Sequence, residues 1–196
     1  LWQSFSLTDA QKILLNIVPT MECYAVHLPK SCSVNDIISN VGLLEGVRLL
    51  KPRVAVLHPR NEPDFLYDCN RLSMILESFN CQLCVEYIVY DKKLQYIFDS
   101  LPSSIGITLD FFHCVHAGYS IESVISRYFS RIKHVHLNDY SNSDIKAQCP
   151  GEGCLLLRNY FNLLQCQEFQ GPYLLECKFT NEQHFRNIVD YCGRIS

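Results

Sequence analysis

Six apolar, β-branched runs recur along the chain, and every gap between them carries helical spacing. The runs are "CYAVHL" (23 to 28), "RVAVLH" (53 to 58), "CQLCVEYI" (81 to 88), "IGITLD" (105 to 110), "IKHVHL" (132 to 137) and "PYLLEC" (172 to 177). Helical spacing covers Leu7 to Val18, Val34 to Leu50, Cys69 to Phe79, Lys92 to Leu101, Ile121 to Ile132, Leu155 to Gln167 and Asn181 to Cys192. Strands that are apolar on both faces and alternate with helices predict a parallel sheet covered by helices, an α/β fold. With 196 residues, 48% of them hydrophobic, and no low-complexity linker, residues 1–196 are expected to form a single domain around one core.

An open doubly wound sheet and a (β/α) barrel both fit this alternation. A nucleotide-binding doubly wound sheet calls for a glycine-rich turn after an early strand, and neither GxGxxG nor GxxxxGK[ST] occurs. A barrel instead gathers its functional residues at the C-terminal ends of several strands. Those ends carry His27, His58, Glu86, Asp110 with His113, His134 with His136 and Asp139, and Glu176. All are metal-capable or acid–base side chains. His134 and His136 are two residues apart, so on a strand they share a face while Val135 and Leu137 point to the other.

The remaining features are bland. A net charge of -3 leaves no electrostatic footprint of a general nucleic-acid binder. No apolar run reaches the roughly 18 residues that would span a bilayer, and no charged-then-apolar leader opens the chain, so no membrane partner is expected. The eleven cysteines are odd in number, and Cys84, Cys114 and Cys177 lie in or beside apolar runs. They read as reduced thiols of a cytoplasmic protein. The Cys81/Cys84 pair has no partner pair at zinc spacing and reads as structural. His116 and His184 are expected at the surface, and the glycines flanking Glu152 in "PGEG" are expected to shape a turn. Asn138 and Asp139 are open to two roles, substrate binding or bonding of turn backbone.

The motifs "TLDFFH", "HVHLND", "PGEG" and "GPYLLE", with "VLHP" and "CVEYI" upstream, resemble the xylose isomerase-like TIM-barrel superfamily, which unites sugar isomerases and epimerases with endonuclease IV. The resemblance runs from about Tyr24 to Glu176. It implies a metal quartet of Glu86, Asp110, His136 and Glu176 holding one divalent ion, Mn²⁺, Mg²⁺, Co²⁺ or Zn²⁺. Glu86 and Glu176 would be the catalytic acid and base, with proton transfer through a metal-stabilised enediolate. His113 would contact substrate in the sugar enzymes or bind a further zinc in the endonucleases, and His58 and His27 resemble the positions of the additional zinc of endonuclease IV; in a sugar enzyme these three and Asp139 are expected to contact substrate, with His134 behind the ligands.

Departures from the family's patterns narrow the choice. The endonuclease pattern places an Asp and a His shortly before the GEG loop, where this chain has Ile145 to Cys149, so a third zinc is not expected. The ketose 3-epimerases carry an arginine six residues after the metal histidine, where this chain has Asn142. The 26-residue spacing from Asp110 to His136 resembles the compact sugar enzymes. The expected activity is therefore metal-dependent isomerisation or epimerisation of a small sugar or sugar derivative. The alternatives are an endonuclease IV-like cleavage of abasic DNA, with DNA the weaker partner, and a catalytically silent barrel that binds a ligand or partner. The family barrel has eight strands, and "YAVHLP" resembles its third, so the first two are expected to be missing and the chain to be an N-terminally short TIM-type barrel of about six strands. A homodimer across the open edges is one way to cover them.

Overall fold

The computed structural model describes residues 23–90, 92–143 and 146–195. The expected helix at Leu7 to Val18 lies outside them. The described chain forms two compact units, the first holding residues up to Val85 together with Ser100–Ile105, the second Glu86–Asp99 and everything from Gly106 onward.

In the first unit, β1 (Ala25–His27), β2 (Val54–Leu57) and β3 (Gln82–Glu86) pair in parallel, Ala25 against Val54 and Ala55 against Leu83. All four residues of β2 are buried, as a strand covered on both faces requires. Between the strands lie α1 (Val34–Ser39), α2 (Val41–Leu50) and α3 (Phe65–Glu77). Helix α3 turns Phe65, Cys69, Leu72 and Leu76 inward, a stripe at helical spacing.

The spacing over Val34 to Leu50 predicts one helix, and the structure has two. Ser33 and Asp36 start α1 with a capping box, the Asp36 amide donating to Ser33 Oγ at 3.1 Å and the Ser33 amide to Asp36 Oδ2 at 3.1 Å. Asn40 then leaves the helical region (φ -87°, ψ 85°), and its side-chain oxygen accepts from the Leu43 amide to start α2. An asparagine competes with the helix for its own amides, which apolar periodicity does not register. Cys81 and Cys84 are both buried, and burial raises the Cys81 thiol to about 11. They pack as small apolar groups.

In the second unit, β4 (Gly106–Asp110), β5 (Ile132–Leu137) and β8 (Tyr173–Leu175) are parallel, flanked by α4 (Lys92–Ser100), α5 (Phe111–His116), α6 (Ile121–Tyr128), α7 (Leu157–Cys166) and α8 (Glu182–Ile195). The register sets Asp110 beside His136 and Thr108 beside His134. Val135 and Leu137 are buried on the opposite face, as the alternation predicts. The spacing over Ile121 to Ile132 resolves into α6 and a 3₁₀ turn, Phe129–Arg131, before β5 begins at Ile132.

Two elements have no counterpart in the sequence reading. Helix α5 follows β4 without a break, capped by Asp110, whose Oδ1 accepts from the His113 amide at 2.7 Å. A two-residue antiparallel pair joins β6 (Asp139–Tyr140) to β7 (Ala147–Gln148). The loop after β7 folds back on Asp139, whose carboxylate accepts from the amides of Tyr140, Gly151 and Leu155 at 2.8, 3.0 and 2.9 Å. Gly153 closes this approach, because a Cβ there would run into Asp139 Oδ1 and the Tyr140 carbonyl. Gly46, in α2, has nothing within 4 Å of its missing Cβ. Gly153→Ala should therefore lower stability by about 1–3 kcal/mol, while Gly46→Ala should raise it by about 0.5–1 kcal/mol. Urea midpoints at constant slope measure both.

Candidate functional site

The second unit assembles four of the strand-end residues. Glu86 ends β3, Asp110 ends β4, His136 lies near the end of β5, and Glu176 follows β8, its amide donating to the Leu137 carbonyl at 3.2 Å. In parallel strands of matched register these positions are neighbours. The three carboxylates converge on one imidazole nitrogen. His136 Nδ1 lies 2.8 Å from Glu86 Oε1, 2.7 Å from Glu176 Oε2 and 3.5 Å from Asp110 Oδ2. Glu86, Asp110 and His136 are buried, whereas the Glu176 side chain is 40% exposed. Glu176 is thus the member of the group that solvent reaches.

Three carboxylates in so little water repel one another unless a cation sits among them. In this structure the cation is the imidazole. Burial pulls the pKa of His136 down, but hydrogen bonds to Asp110, Glu176 and Glu86, with the charge of Glu86, outweigh it and bring the ring to about 11. One ligand atom from each of the four residues lies within 4.8 Å of the others, so the same space suits a divalent ion with hard oxygen donors and one nitrogen.

The surroundings orient this group. Asn138, 1% exposed, donates from Nδ2 to Asp110 Oδ2 at 2.8 Å and accepts at Oδ1 from the Phe112 amide at 2.7 Å, so it fixes the carboxylate against the start of α5. His134 is buried behind His136, ring centroids 4.9 Å apart and edge-on, with Nδ1 3.5 Å from Thr108 Oγ1. Asp139 spends its carboxylate on three loop amides, the turn-backbone role of the two that the sequence leaves open. The glycines beside Glu152 shape the turn, Gly151 at φ +86°.

His113 is tied to the site through its amide, which donates to Asp110 Oδ1, and its Nδ1 is hydrogen-bonded to the Tyr90 hydroxyl. Tyr90 is a residue that the sequence reading passed over, although it lies four residues after Glu86. Burial, with the charges of Asp110 and Glu86 adding, pushes its phenol to about 12, so it stays a neutral hydroxyl. His27 and His58 belong to the first unit, where their rings are 5.7 Å apart. His116 is exposed as expected, stacked on Phe112. His184 is only partly exposed. Its side chain is 17% exposed and its Nε2 lies 2.9 Å from Glu152 Oε1, because α8 packs its first turn onto the loop after β7.

Comparisons with known proteins agree with this architecture. The family model described as xylose isomerase-like TIM barrel matches residues 64–191. The D-tagatose 3-epimerase-like protein superposes with a TM-score of 0.76 at 18% identity, covering 97% of this chain and 83% of that one. The 3-keto-D-glucoside 4-epimerase from E. coli gives 0.68 at 15% identity, covering 96% and 84%. Inosose dehydratase 2 of Bacillus cereus is 24% identical over 94 residues, 39% of this chain and 32% of that relative's length. The match therefore spans about a third of the curated relative. At these identities the structural likeness speaks for the fold, an α/β barrel type. Among the described residues no helix is long and apolar enough to cross a membrane.

The His136 cluster makes stability depend on pH in a definite direction. The ring's pKa in the fold, about 11, is above its ordinary 6.5. Its contribution is fully present below about 6.5 and is lost as pH rises toward about 11. Urea melts in chelator should show metal-free chain weakening over that window. In His136→Gln the slope should flatten, and stability at neutral pH should fall by about 3–5 kcal/mol, since the buried carboxylates lose their counter-charge.

Proposed function

The chain belongs to the xylose isomerase-like TIM-barrel family, and on that premise we propose that it is a metal-dependent isomerase or epimerase of a small sugar or sugar derivative. One observation carries the reading: three carboxylates and one imidazole from four strand ends bring their ligand atoms within 4.8 Å. Glu86, Asp110, His136 and Glu176 would hold one divalent ion, of the class Mn²⁺, Mg²⁺, Co²⁺ or Zn²⁺. When bound, such an ion supplies Lewis-acid polarisation of a substrate carbonyl.

The chain's own residues supply the rest. Glu176, reachable from solvent, takes a proton from the carbon next to the carbonyl, and Glu86, in the dry interior, exchanges one on the opposite side. Tyr90 and His113 form a hydrogen-bonded pair that can donate to and accept from sugar hydroxyls. Asn138 keeps Asp110 aimed, and His134 keeps the His136 ring upright by packing at its edge.

The test begins with elemental analysis of chain purified without chelator. About one divalent ion per chain, lost in Glu176→Gln and in His136→Ala, is the expected result. A screen of small sugars in deuterated water should then show exchange of a carbon-bound proton, reduced about 10²- to 10⁴-fold in Glu176→Gln. An absence of metal even after soaking in Mn²⁺, Co²⁺ and Zn²⁺ sinks the proposal. Two or more zincs with nicking of an abasic duplex replaces it with the endonuclease reading.

Metal uptake should also be pH-dependent. The ring of His136 must give up its proton to bind an ion, so affinity rises with pH below about 11, with about one proton released per ion. Calorimetry in buffers of different ionisation enthalpy reads that proton directly.

A further inference from the structure

Away from the quartet, the second unit gathers a second group of metal-capable side chains that share none of its residues. Cys149, Glu152 and His184 bring one ligand atom each within 4.8 Å of the others. We propose that Cys149, Glu152 and His184 form a second cation site that takes zinc or a similarly borderline-soft divalent ion and clamps the loop after β7 to α8.

The local backbone explains how these residues meet. "CPGE" forms a tight turn in which the Glu152 amide donates to the Cys149 carbonyl at 3.0 Å, with Pro150 second and Gly151 third at φ +86°. Proline followed by a positive-φ glycine is the pattern of a type II turn. It folds residues 149 and 152 toward one another. Gly151 also lets α8 come close, because a Cβ there would lie 2.9 Å from the Tyr191 ring. In the first turn of α8 the His184 amide donates to Asn181 Oδ1 at 2.8 Å, which fixes where the imidazole stands.

The contact between His184 and Glu152 is at ion-pair distance but lacks the alignment of a hydrogen bond. Nε2 is sealed from solvent and 2.9 Å from Glu152 Oε1, yet makes no hydrogen bond. Two atoms placed side by side without donor–acceptor alignment are disposed as two ligands of one ion. Cys149 is buried, and its proton now goes to the Lys178 carbonyl at 3.8 Å. On binding, the ligating thiol releases its proton to solvent. The Thr180 amide now donates to His184 Nδ1, 3.1 Å away. Ligation through Nε2 needs the ring proton on Nδ1, where Thr180 Oγ1, also at 3.1 Å, accepts it and the bond from the Thr180 amide is given up.

A donor set of sulfur, nitrogen and one carboxylate selects zinc-class ions, unlike the oxygen-rich quartet. The difference gives a clean readout. Full-length chain stripped with chelator under reductant is titrated with Co²⁺ alone. A thiolate-to-cobalt charge-transfer band should appear in the parent, persist in a Glu176→Gln/His136→Ala double variant, and vanish in Cys149→Ser. Persistence in the double variant separates this site from the function proposed above. Glu152→Gln, at a side chain 45% exposed and safe for folding, should weaken cobalt binding roughly tenfold or more. A parent without the band, a band that survives Cys149→Ser, or unchanged affinity in Glu152→Gln overturns the proposal.

Discussion

Three carboxylates cannot share a dry space with one another, and the second unit is built around that constraint. His136 meets it by turning one nitrogen toward Glu86, Asp110 and Glu176 together. Its neighbours serve that placement: Asn138 ties Asp110 to the start of α5, His134 backs the imidazole, and the parallel register sets residue 110 beside residue 136. A cluster of this kind is costly to the fold unless a positive charge fills it, which is why it reads as a site for a cation and not as a device for stability.

The same unit handles its loops with fixed polar groups. Asp139 is a carboxylate one position removed from the strand-end set, and it is spent entirely on the amides of the β6–β7 region. That anchoring holds the turn at Gly151 in place, and the turn in turn receives α8 through Tyr191 and His184. Two neighbouring acids, Asp110 and Asp139, thus have different work because one faces an imidazole and the other faces unpaired loop amides.

The strands were the most legible part of the sequence. Each of the six apolar runs contains an observed strand, and the four inner ones, β2 to β5, are almost wholly buried, as apolar residues on both faces require. The strand-end acids and histidines were legible for a related reason, since such side chains have no place in a core, and the family resemblance picked Glu86, Asp110, His136 and Glu176 from among them. The short α5, the break at Asn40 and the β6–β7 pair were not legible, because each rests on one side chain bonding to nearby backbone. Tyr90 was missed, and the contact of His184 with Glu152 was not foreseen, because a tyrosine in a loop and a histidine at a helix start carry no pattern of their own.

By itself the sequence determined the alternation of parallel strands and helices, the gathering of acids and histidines at strand ends and, through its motifs, the resemblance to the family. Hydrophobic periodicity and strand-end chemistry are properties of short segments, so they survive in one dimension. Only the tertiary structure decided which atom of His136 faces the carboxylates, that Asp139 belongs to the loop, and that Cys149, Glu152 and His184 meet. Those outcomes depend on distances between segments up to 50 residues apart, as between Glu86 and His136. Packing and register fix such distances, and no local pattern encodes them.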